Sequence, residues 1–574
     1  MSPTEEFNYR VWRVNMRSLT LEREPVPAGW DHLGGRGLSA RILLDEVDPL
    51  CDPLGRNNKL VFAPGLLVGH MISSTDRISI GAKSPLTGGI KEANAGGRTG
   101  LQMSHLGIKA LILEDQPAQP GWWVLVLNAD GARFEQADDL AGLGVYETAE
   151  RLVRRFGNKA AIALIGPGAE MKLRSAGIQN LDKDRVPSRI AARGGLGAVM
   201  ASKGLKAIVI DGSTGQKPPI VDLQAFREAQ KEFTRTLMDQ PQTHIYHDYG
   251  TVGVLMLCQE YGALPTRNFS SGRFEAAEQL SAESLRQMLL DRGGDCQTAH
   301  ACMAGCTIQS SNVFGDAQGK AVVSPLEYET VGLMGSNLGI DDFDTIACMN
   351  WEVNDLGLDS IEIGAALGVA ADAGLLKFGD GARALELLKE IRAGTPLGRL
   401  IGSGPAVFGQ VYGIRRVPVV KNQAISAYDP RTIKGTGVTY ATSPQGADHT
   451  CGLTIRAKVD HLDPKGQAAL SRTAQINMAG YDTLGACVFA GFGYAAAPHV
   501  ISALLNARYG WETGTDILQV LGRETLKLER EFNRRAGFTN AHDRLPEWMT
   551  EEALPPLNAV FDVPEEELDS LFNW

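Results

Sequence analysis

The chain of 574 residues is 44% hydrophobic and 21% charged, an ordinary globular composition with enough length for roughly three or four domains. Its formal net charge of −11, without any Lys/Arg-rich run, argues against a nucleic-acid partner. No apolar stretch reaches the about 18 residues of a membrane-spanning helix, and the alternating residues of Met1–Arg17 indicate a strand and not a signal peptide. We therefore expect a cytoplasmic protein with no membrane partner, whose eight cysteines are thiols or metal ligands.

Strand-like runs separated by Gly/Pro turns occupy the first part of the chain, up to about residue 212. They are Lys59–Ala63, Ile78–Ile80, Ala110–Leu113, Trp122–Leu127, Ala160–Ile165 and Ala207–Ile210. After the connector Ser213–Pro219 the apolar residues recur with helical spacing. The predicted helices are Leu223–Leu237, Ala282–Asp291, Asp342–Ala366, Ala382–Ala393, Gln467–Met478 and Thr515–Ala536. The sequence thus predicts an α+β protein with a β-rich N-terminal domain, 1–212, followed by two mainly helical domains, 213–419 and 420–574.

Glycine is over-represented, with 65 residues, and its excess is clustered. The clusters are Gly34–Gly37, Gly88–Gly100, Gly194–Gly197 and Gly485–Gly493. They show no period and lie among apolar residues, which excludes a collagen-like or linker segment. Clustered glycine inside a globular chain indicates backbone that packs closely against something bulky.

Two of these clusters are candidate ligand loops. Ala191–Lys203 contains Gly194, Gly195 and Gly197, a spacing that does not give the dinucleotide pattern G-x-G-x-x-G. Arg193 beside free backbone N–H groups instead suits an anion such as a phosphate. Ser84–Gly97 contains Asn94, which alone would be an ordinary turn residue. Because each loop has an arginine nearby, Arg77 or Arg193, one ligand shared by both loops becomes the better interpretation.

Cysteines cluster between Asp295 and Ser311, where Cys296, Cys302 and Cys306 lie within eleven positions. Zinc would favour two C-x2-C pairs, and no second pair is present. An iron–sulfur cluster needs about four soft ligands, and Cys487 could complete such a set. Buried structural thiols are the alternative.

A polar, turn-rich segment from Tyr428 to Cys451 contains His449. Histidine titrates near neutrality and could serve in acid/base chemistry, although a lone histidine is more often structural. Walker, H-E-x-x-H, G-x-S-x-G and protein-kinase signatures are absent from the sequence.

Taken together and in order, these segments resemble the aldehyde:ferredoxin oxidoreductase family of tungsten enzymes over nearly the whole chain. The matching segments are Gly34–Ile42, Asn58–Gly65, Lys83–Gly88, Asn94–Gly97, Arg193–Met200, Glu327–Thr330, Ala427–Arg431, Glu531–Phe538 and Asp543–Pro546. The resemblance implies a base domain of two sheets closed by two helical domains around a tungsten (or molybdenum) ion held by two pterins, with a [4Fe–4S] cluster nearby. It also implies oxidation of small aldehydes to carboxylic acids, with single electrons passed to ferredoxin or a dedicated iron–sulfur subunit. A homo-oligomer is left open.

The resemblance assigns roles residue by residue. Glu329 and His449 match the catalytic Glu and His beside the metal. The residues that match pterin, phosphate and magnesium contacts are Arg77, Asn94, Ala95, Gly96, Arg189, Arg193 and Gly194. The family's two D-x-x-G-L-(D/C) pterin motifs match Asn354–Asp359, through Asn354, Gly357, Leu358 and Asp359, and Asp482–Cys487, through Asp482, Gly485 and Ala486. In the first motif the leading Asp is replaced by Asn354, which removes a charged contact to the pterin.

The cluster motif departs from the family pattern C-x-x-C-x-x-x-C. Here it reads Cys302-Met-Ala-Gly-Cys306-Thr-Ile-Gln-Ser310, with one inserted residue and a serine at the third ligand position. Cys487 holds the fourth position. Three outcomes stay open: Ser310 or a water completes the cluster, Cys296 replaces the missing thiolate, or no cluster binds. The alternative function is therefore a tungstopterin protein with an altered or absent cluster that performs non-redox chemistry or serves as a cofactor-binding subunit.

Overall fold

The computed structural model describes Phe7 and residues 9–574, and its first part is built from two six-stranded sheets. The strand order is β2-β1-β6-β3-β4-β5 in one sheet and β11-β10-β9-β12-β7-β8 in the other. The strands are β1 (Arg10–Asn15), β2 (Thr20–Pro25), β3 (Leu60–Pro64), β4 (Ile78–Lys83), β5 (Ile90–Ala95), β6 (Ile108–Glu114), β7 (Trp123–Asn128), β8 (Gly131–Gln136), β9 (Ala161–Leu164), β10 (Ile178–Leu181), β11 (Pro187–Ala191) and β12 (Leu205–Ile210). The prediction of a β-rich N-terminal part with two sheets is confirmed.

The central strands are buried on both faces. Every residue of β3, β4 and β12 is buried, which matches the continuous apolar runs that distinguish covered strands from half-exposed ones. Both sheets mix orientations, since β1 lies parallel to β6 and β12 parallel to β7, whereas the other pairs are antiparallel. Arg77 immediately precedes β4 and Asn94 lies near the end of β5, and both are half-buried.

Helices follow β12 and make up most of the remaining chain. In the part of the chain that the structure describes, the α-helices are Gly35–Glu46, Thr99–His105, Val145–Phe156, Pro167–Glu170, Leu196–Ser202, Leu223–Met238, Pro241–Tyr249, Leu255–Glu260, Ala282–Arg292, Tyr328–Met334, Phe343–Leu356, Ser360–Asp372, Gly381–Ala393, Pro396–Gly402, Pro405–Tyr412, Lys434–Thr442, Gln467–Leu484, Gly491–Ala496, His499–Tyr509, Ile517–Arg535, Trp548–Glu551 and Glu565–Ser570. Five short strands accompany them: Gln297–His300, Ser311–Gly315, Ala321–Val323, Val419–Val420 and Gln423–Ala424. The α+β class with helical domains after the sheets is confirmed.

One predicted helix is wrong. Asp342–Ala366 is not continuous, because Gly357 adopts the left-handed conformation (φ 72°) and ends the first helix at Leu356. Asp359 then caps the next helix, its carboxylate accepting the backbone N–H of Ile361 at 2.9 Å. The apolar spacing continued through this break, so the periodicity alone did not reveal it.

No single helix in the part of the chain that the structure describes is long and apolar enough to cross a membrane. The consecutive segments Val488–Ala496 and His499–Tyr509 would reach that length together, but they are bent by 102° relative to each other. Both segments belong to the packed helical part of the chain. Val500, Leu504 and Leu505 are fully buried there.

Candidate active site

The first motif loop is fixed by a buried arginine. Arg193 donates from Nε to Asp359 at 3.2 Å and from Nη2 to Glu362 at 3.1 Å. The loop also pairs with the base domain, since the N–H of Gly177 donates to the carbonyl of Gly357 at 2.9 Å. Burial raises the pKa of Glu362 to about 7 in spite of the nearby arginine. One positive charge therefore faces two carboxyl groups.

The remaining members of this motif lie on the same turn. Asn354 is buried and its carbonyl accepts the N–H of Gly357 at 3.0 Å, closing the helix end. Leu358 forms a backbone bridge with Ala176 and is fully buried. The structure thus brings all four predicted residues of the first motif against the base domain.

The second motif loop meets the ends of β4 and β5. Asp482 accepts hydrogen bonds from Arg36 Nη1 at 3.2 Å and from Asn94 Nδ2 at 3.1 Å. Arg77 donates from Nε to Asn94 Oδ1 at 2.5 Å and from its backbone N–H to the carbonyl of Gly485 at 3.1 Å. Burial raises the pKa of Asp482 to about 6. Arg77, Asn94, Asp482 and Gly485 therefore form one connected group.

Close packing explains why this loop contains small residues. A Cβ on Gly65 would lie 2.1 Å from the backbone nitrogen of Gly485. Ala486, where the family motif has a larger residue, is buried at 1% exposure. Ala95 and Gly96 follow Asn94, and a Cβ on Gly96 would lie 3.2 Å from Cys302 Sγ. The second motif loop and the cysteine segment thus flank the same short turn.

The glycine loop after β11 sits on a buried lysine. Gly194 has φ 82°, and a Cβ there would lie 2.3 Å from Lys91 Cγ. Lys91 donates from Nζ to Asp448 Oδ2 at 2.7 Å, and its side chain is fully buried. Asp448 holds the next turn through its other oxygen, which accepts from the N–H and the hydroxyl of Thr450 at 3.0 and 2.7 Å. The glycine loop is thereby connected to the turn that carries His449.

Glu329 and His449, both expected to be catalytic, lie side by side. Glu329 Oε1 is 3.3 Å from His449 Nε2, and Oε2 accepts the backbone N–H of Ala427 at 2.8 Å. The other ring nitrogen, Nδ1, lies 3.0 Å from Ser426 Oγ, which also accepts from Arg193 at 3.1 Å. Burial raises the pKa of Glu329. The pair is suited to proton transfer, and Ser426 links it to the first motif loop.

Three of the candidate cluster thiols lie on adjacent turns. The carbonyl of Cys302 accepts the N–H of Gly97 at 3.0 Å, and the N–H of Cys487 donates to the carbonyl of Ser74 at 2.9 Å. Ser74 in turn donates its N–H to the carbonyl of Gly305 at 3.1 Å, one residue before Cys306. A hydrogen bond from Cys302, with smaller help from a backbone N–H, lowers the pKa of the Cys306 thiol to about 5.

The other two candidate ligands differ in position. Cys296 precedes the strand Gln297–His300, which spans about 13 Å at the usual rise, and its Sγ packs against Gly315. The structure therefore does not bring Cys296 to Cys302 and Cys306. Ser310 pairs its backbone with His300 and follows the Cys306 turn by four residues. Within residues 9–574, no three His, Cys, Asp or Glu side chains are placed to hold a single metal ion.

Arg189 lies on the cysteine side of the site and not in the glycine loop. It donates from Nη1 to Ser311 Oγ at 2.7 Å, and Nη2 lies 3.2 Å from His300 Nδ1. Its Nε is buried and finds no acceptor among the described residues. A buried guanidinium nitrogen without a partner is costly, which favours an anionic ligand at this position.

The sequence analysis missed several residues that complete the site. They are Arg36, Lys91, Glu362, Ser426 and Asp448, all buried and all hydrogen-bonded to a predicted site residue or to its turn. Lys91 lay inside the candidate loop Ser84–Gly97, and Asp448 immediately precedes His449. Their positions inside or next to the candidate motif segments were the signal that could have identified Lys91 and Asp448.

Comparisons with known proteins agree with this architecture. The family model for the aldehyde ferredoxin oxidoreductase N-terminal domain matches residues 11–212, and the model for domains 2 and 3 matches residues 228–572. The tungsten-containing aldehyde ferredoxin oxidoreductase of Thermococcus kodakarensis is 33% identical over 577 residues, covering 95% of this chain and 92% of its own. A WOR-like subunit of an aliphatic sulfonate oxidoreductase from Pyrococcus furiosus is 27% identical over 465 residues, covering 74% and 72% of the two chains.

A solved structure shares the fold. The active-site complex BamBC of benzoyl coenzyme A reductase, bound to 1,5-dienoyl-CoA, superposes with a TM-score of 0.80 and 18% identity over 98% of this chain and 93% of that one. At this identity the similarity supports the fold and not the substrate. Two matching family models and a full-length relative above 30% identity show that the chain belongs to the aldehyde ferredoxin oxidoreductase family.

Proposed function

We propose that the protein is a tungsten-dependent oxidoreductase that oxidises a small aldehyde to a carboxylic acid. The observation that carries the proposal is the Glu329–His449 pair, 3.3 Å apart, beside two motif loops that each hold an arginine–carboxylate group. The relatives at 31–33% identity are tungsten-containing aldehyde ferredoxin oxidoreductases, which supports the choice of metal and substrate. We also propose domain boundaries near residues 212 and 419.

The residues present fit a bis-pterin group. Glycines let both motif loops and the glycine loop pack tightly on neighbouring protein atoms, and Arg189 Nε is buried without an acceptor among the described atoms, as an anionic group would require. We propose that Asp359 and Asp482 mark the two pterin positions, while Arg77, Arg189 and Arg193 lie toward the phosphates. The turn of Asn94, Ala95 and Gly96 would hold a magnesium ion, which would supply positive charge beside those phosphates. When bound, the metal–pterin group supplies the two-electron redox chemistry.

For the iron–sulfur cluster we propose three protein thiolates, from Cys302, Cys306 and Cys487, with the fourth position open to Ser310. The thiols occupy neighbouring turns, and Ser310 takes the place of the missing cysteine. Serine oxygen is a harder ligand than thiolate, so the cluster would be more easily lost than one held by four cysteines. The cluster would carry single electrons to ferredoxin or a similar iron–sulfur partner.

The side chains have distinct roles in the reaction. The balanced conversion is aldehyde plus water to carboxylic acid, releasing two protons and two electrons, which leave one at a time to the external acceptor. His449 donates a hydrogen bond to the aldehyde oxygen and orients it. Glu329, whose pKa is raised by burial, accepts the proton that the attacking water loses. Ser426 holds the imidazole through Nδ1.

The test is aldehyde-dependent reduction of a low-potential dye, together with elemental analysis for tungsten, molybdenum and iron. We expect tungsten near one per chain and a fall in kcat of at least about 100-fold in Glu329→Gln, the usual range for a lost general base. The matched control is Glu327→Gln, a buried carboxyl two residues away whose pKa is also raised by burial but which bonds Thr251 and Ser311. Wild-type kcat in Glu329→Gln at equal tungsten content would contradict the proposed role.

A second candidate is a tungstopterin protein without a working cluster. The serine at position 310, in place of a third motif cysteine, favours it. Tungsten with almost no iron, and no dye reduction by any aldehyde, would select this candidate. Tungsten with several irons per chain would exclude it.

A further inference from the structure

A small cavity lies between β6 and the end of helix His499–Tyr509, and none of the predicted site residues lines it. Its volume is about 20 Å³, enough for one particle of about the size of a water molecule. Lys109 of β6 and Arg508 of the helix both line it, together with Tyr9 and Tyr509. None of the residues that line it is acidic. The cavity is therefore small, partly polar and flanked by two cationic side chains.

Hydrogen-bond donors outnumber acceptors around this cavity. Arg508 directs Nη1 to the carbonyls of Leu66 and Val68, at 2.5 and 3.0 Å, and Nη2 to the hydroxyl oxygen of Tyr9 at 3.0 Å. Its Nε is buried and has no acceptor in the described structure. Because the Tyr9 oxygen accepts that bond, its own hydrogen is free to donate. The Lys109 ammonium donates one N–H to the carbonyl of Asp31 at 2.9 Å, which leaves two N–H groups for other acceptors.

The electrostatic balance also favours a negative occupant. Arg508 is 2% exposed, and burial together with the charge of Arg508 lowers the pKa of Lys109 to about 7. The nearby carboxyl of Asp76 does not line the cavity, and burial raises its pKa to about 7. Lys109 is half-buried, and the Asp31 carboxylate, which also acts on it, lies outside the cavity lining. A buried guanidinium beside an ammonium, with no carboxylate in the cavity lining, is stabilised by an anion. The small volume suits a single-atom anion better than phosphate, sulfate or a carboxylate.

We propose that this cavity is a halide site that binds chloride through Arg508 Nε, Lys109 Nζ and the Tyr9 hydroxyl. The site joins the base sheet to the C-terminal helices, because Arg508 also holds the loop after β3 through its bonds to Leu66 and Val68. Bound chloride therefore stabilises the docking of helix His499–Tyr509 on the sheet. The proposal does not depend on the redox reaction.

The direct test is X-ray diffraction at the bromine absorption edge from crystals of the full chain soaked in sodium bromide. We expect an anomalous peak within hydrogen-bonding distance of Arg508 Nε and Lys109 Nζ in the wild type and in Lys109→Arg, and none in Lys109→Met. No peak in the wild type, or a cavity that refines as water in bromide, overturns the proposal.

A solution measurement covers the case in which a variant fails to crystallise. Thermal unfolding of the holoenzyme is compared in sodium chloride and in sodium gluconate of equal ionic strength, since gluconate is too large for the cavity. We expect a midpoint that rises with chloride concentration in the wild type, as for any ligand of the native state. Lys109→Met should lose this rise, whereas Lys172→Met, a partly buried lysine beside Trp122, should keep it. A chloride response retained in Lys109→Met overturns the proposal.

Discussion

Replacing Lys91 by methionine should destabilise the protein, because it leaves the buried Asp448 carboxylate without its ion-pair partner. The Lys91 ammonium is fully buried and lies 2.7 Å from Asp448 Oδ2, whose side chain is 5% exposed. Methionine has a similar length, so the stem that packs under Gly194 is retained and little cavity forms. The Asp448 carboxylate, however, loses its closest cation. Removing one partner of a buried ion pair costs about 3–5 kcal/mol, which is the expected loss in the free energy of unfolding.

The stability difference between the wild type and Lys91→Met should decrease as the pH falls. Burial alone would raise the pKa of Asp448, but Lys91 and then Arg193 hold it well below its usual range. A carboxyl whose pKa is depressed in the folded state contributes stability above its unfolded pKa of about 3.9, and loses it as the pH falls further. The difference between wild type and Lys91→Met should therefore be full at pH 7 and shrink in acid, where Asp448 of the variant takes up a proton.

Urea unfolding at pH 7, followed by tryptophan fluorescence, measures this difference. The double variant Lys91→Met/Asp448→Asn removes both charges and should recover part of the loss, so that the double-mutant cycle shows coupling between the two positions. Dye-reduction activity in Lys91→Met should also fall, because Asp448 holds the turn that carries His449. A Lys91→Met variant within about 0.5 kcal/mol of the wild type would refute the reasoning, since exposed, unpaired positions behave in that way.

Three further outcomes follow from the geometry. Ser310→Cys restores a fourth thiolate and should raise the iron content per chain and the reduced-cluster EPR signal; unchanged iron would contradict cluster ligation at this position. Gly194→Ala should lower the pterin content more than Gly142→Ala. Both glycines lie at positive φ, where an alanine costs about 1–2 kcal/mol, but only a Cβ at Gly194 would also lie 2.3 Å from a neighbouring atom. Burial raises the pKa of Glu92 to about 8, so wild-type thermal stability should decline as the pH rises from about 4.3 toward 8, and Glu92→Gln should flatten that decline.

The fold class was readable from the sequence because strand and helix periods are local properties. Leu223–Leu237 and Ala382–Ala393 coincide within a residue or two with the helices Leu223–Met238 and Gly381–Ala393. The strand predicted at Ala160–Ile165 is found at Ala161–Leu164. The break at Gly357 was missed for the same reason, because a left-handed turn interrupts a helix without changing the spacing of apolar residues on either side.

Contacts between charged residues far apart in the sequence could not be predicted from local periodicity. Lys91 and Asp448 are separated by 357 positions, and Arg36 and Glu529 by 493. The sequence around each of these residues does not indicate which distant charge is its partner. Glu329 and His449 were predicted only because the family resemblance supplied their pairing, and the Ser426 hydroxyl between His449 and Arg193 carried no comparable signal.

The two motif loops show that a shared sequence motif does not determine the charged residues around it. Both have an acidic residue beside a left-handed glycine, yet their charge environments differ. In the first, Arg193 alone faces Asp359 and Glu362, and the pKa of Glu362 rises to about 7, so a proton is partly retained at neutral pH. In the second, Arg36 and Arg77 both lie near Asp482, Glu529 adds another carboxylate, and burial raises the pKa of Asp482 to about 6. Because the first loop already has an excess of carboxyl groups, the neutral Asn354 in place of an acid adds no further negative charge to it.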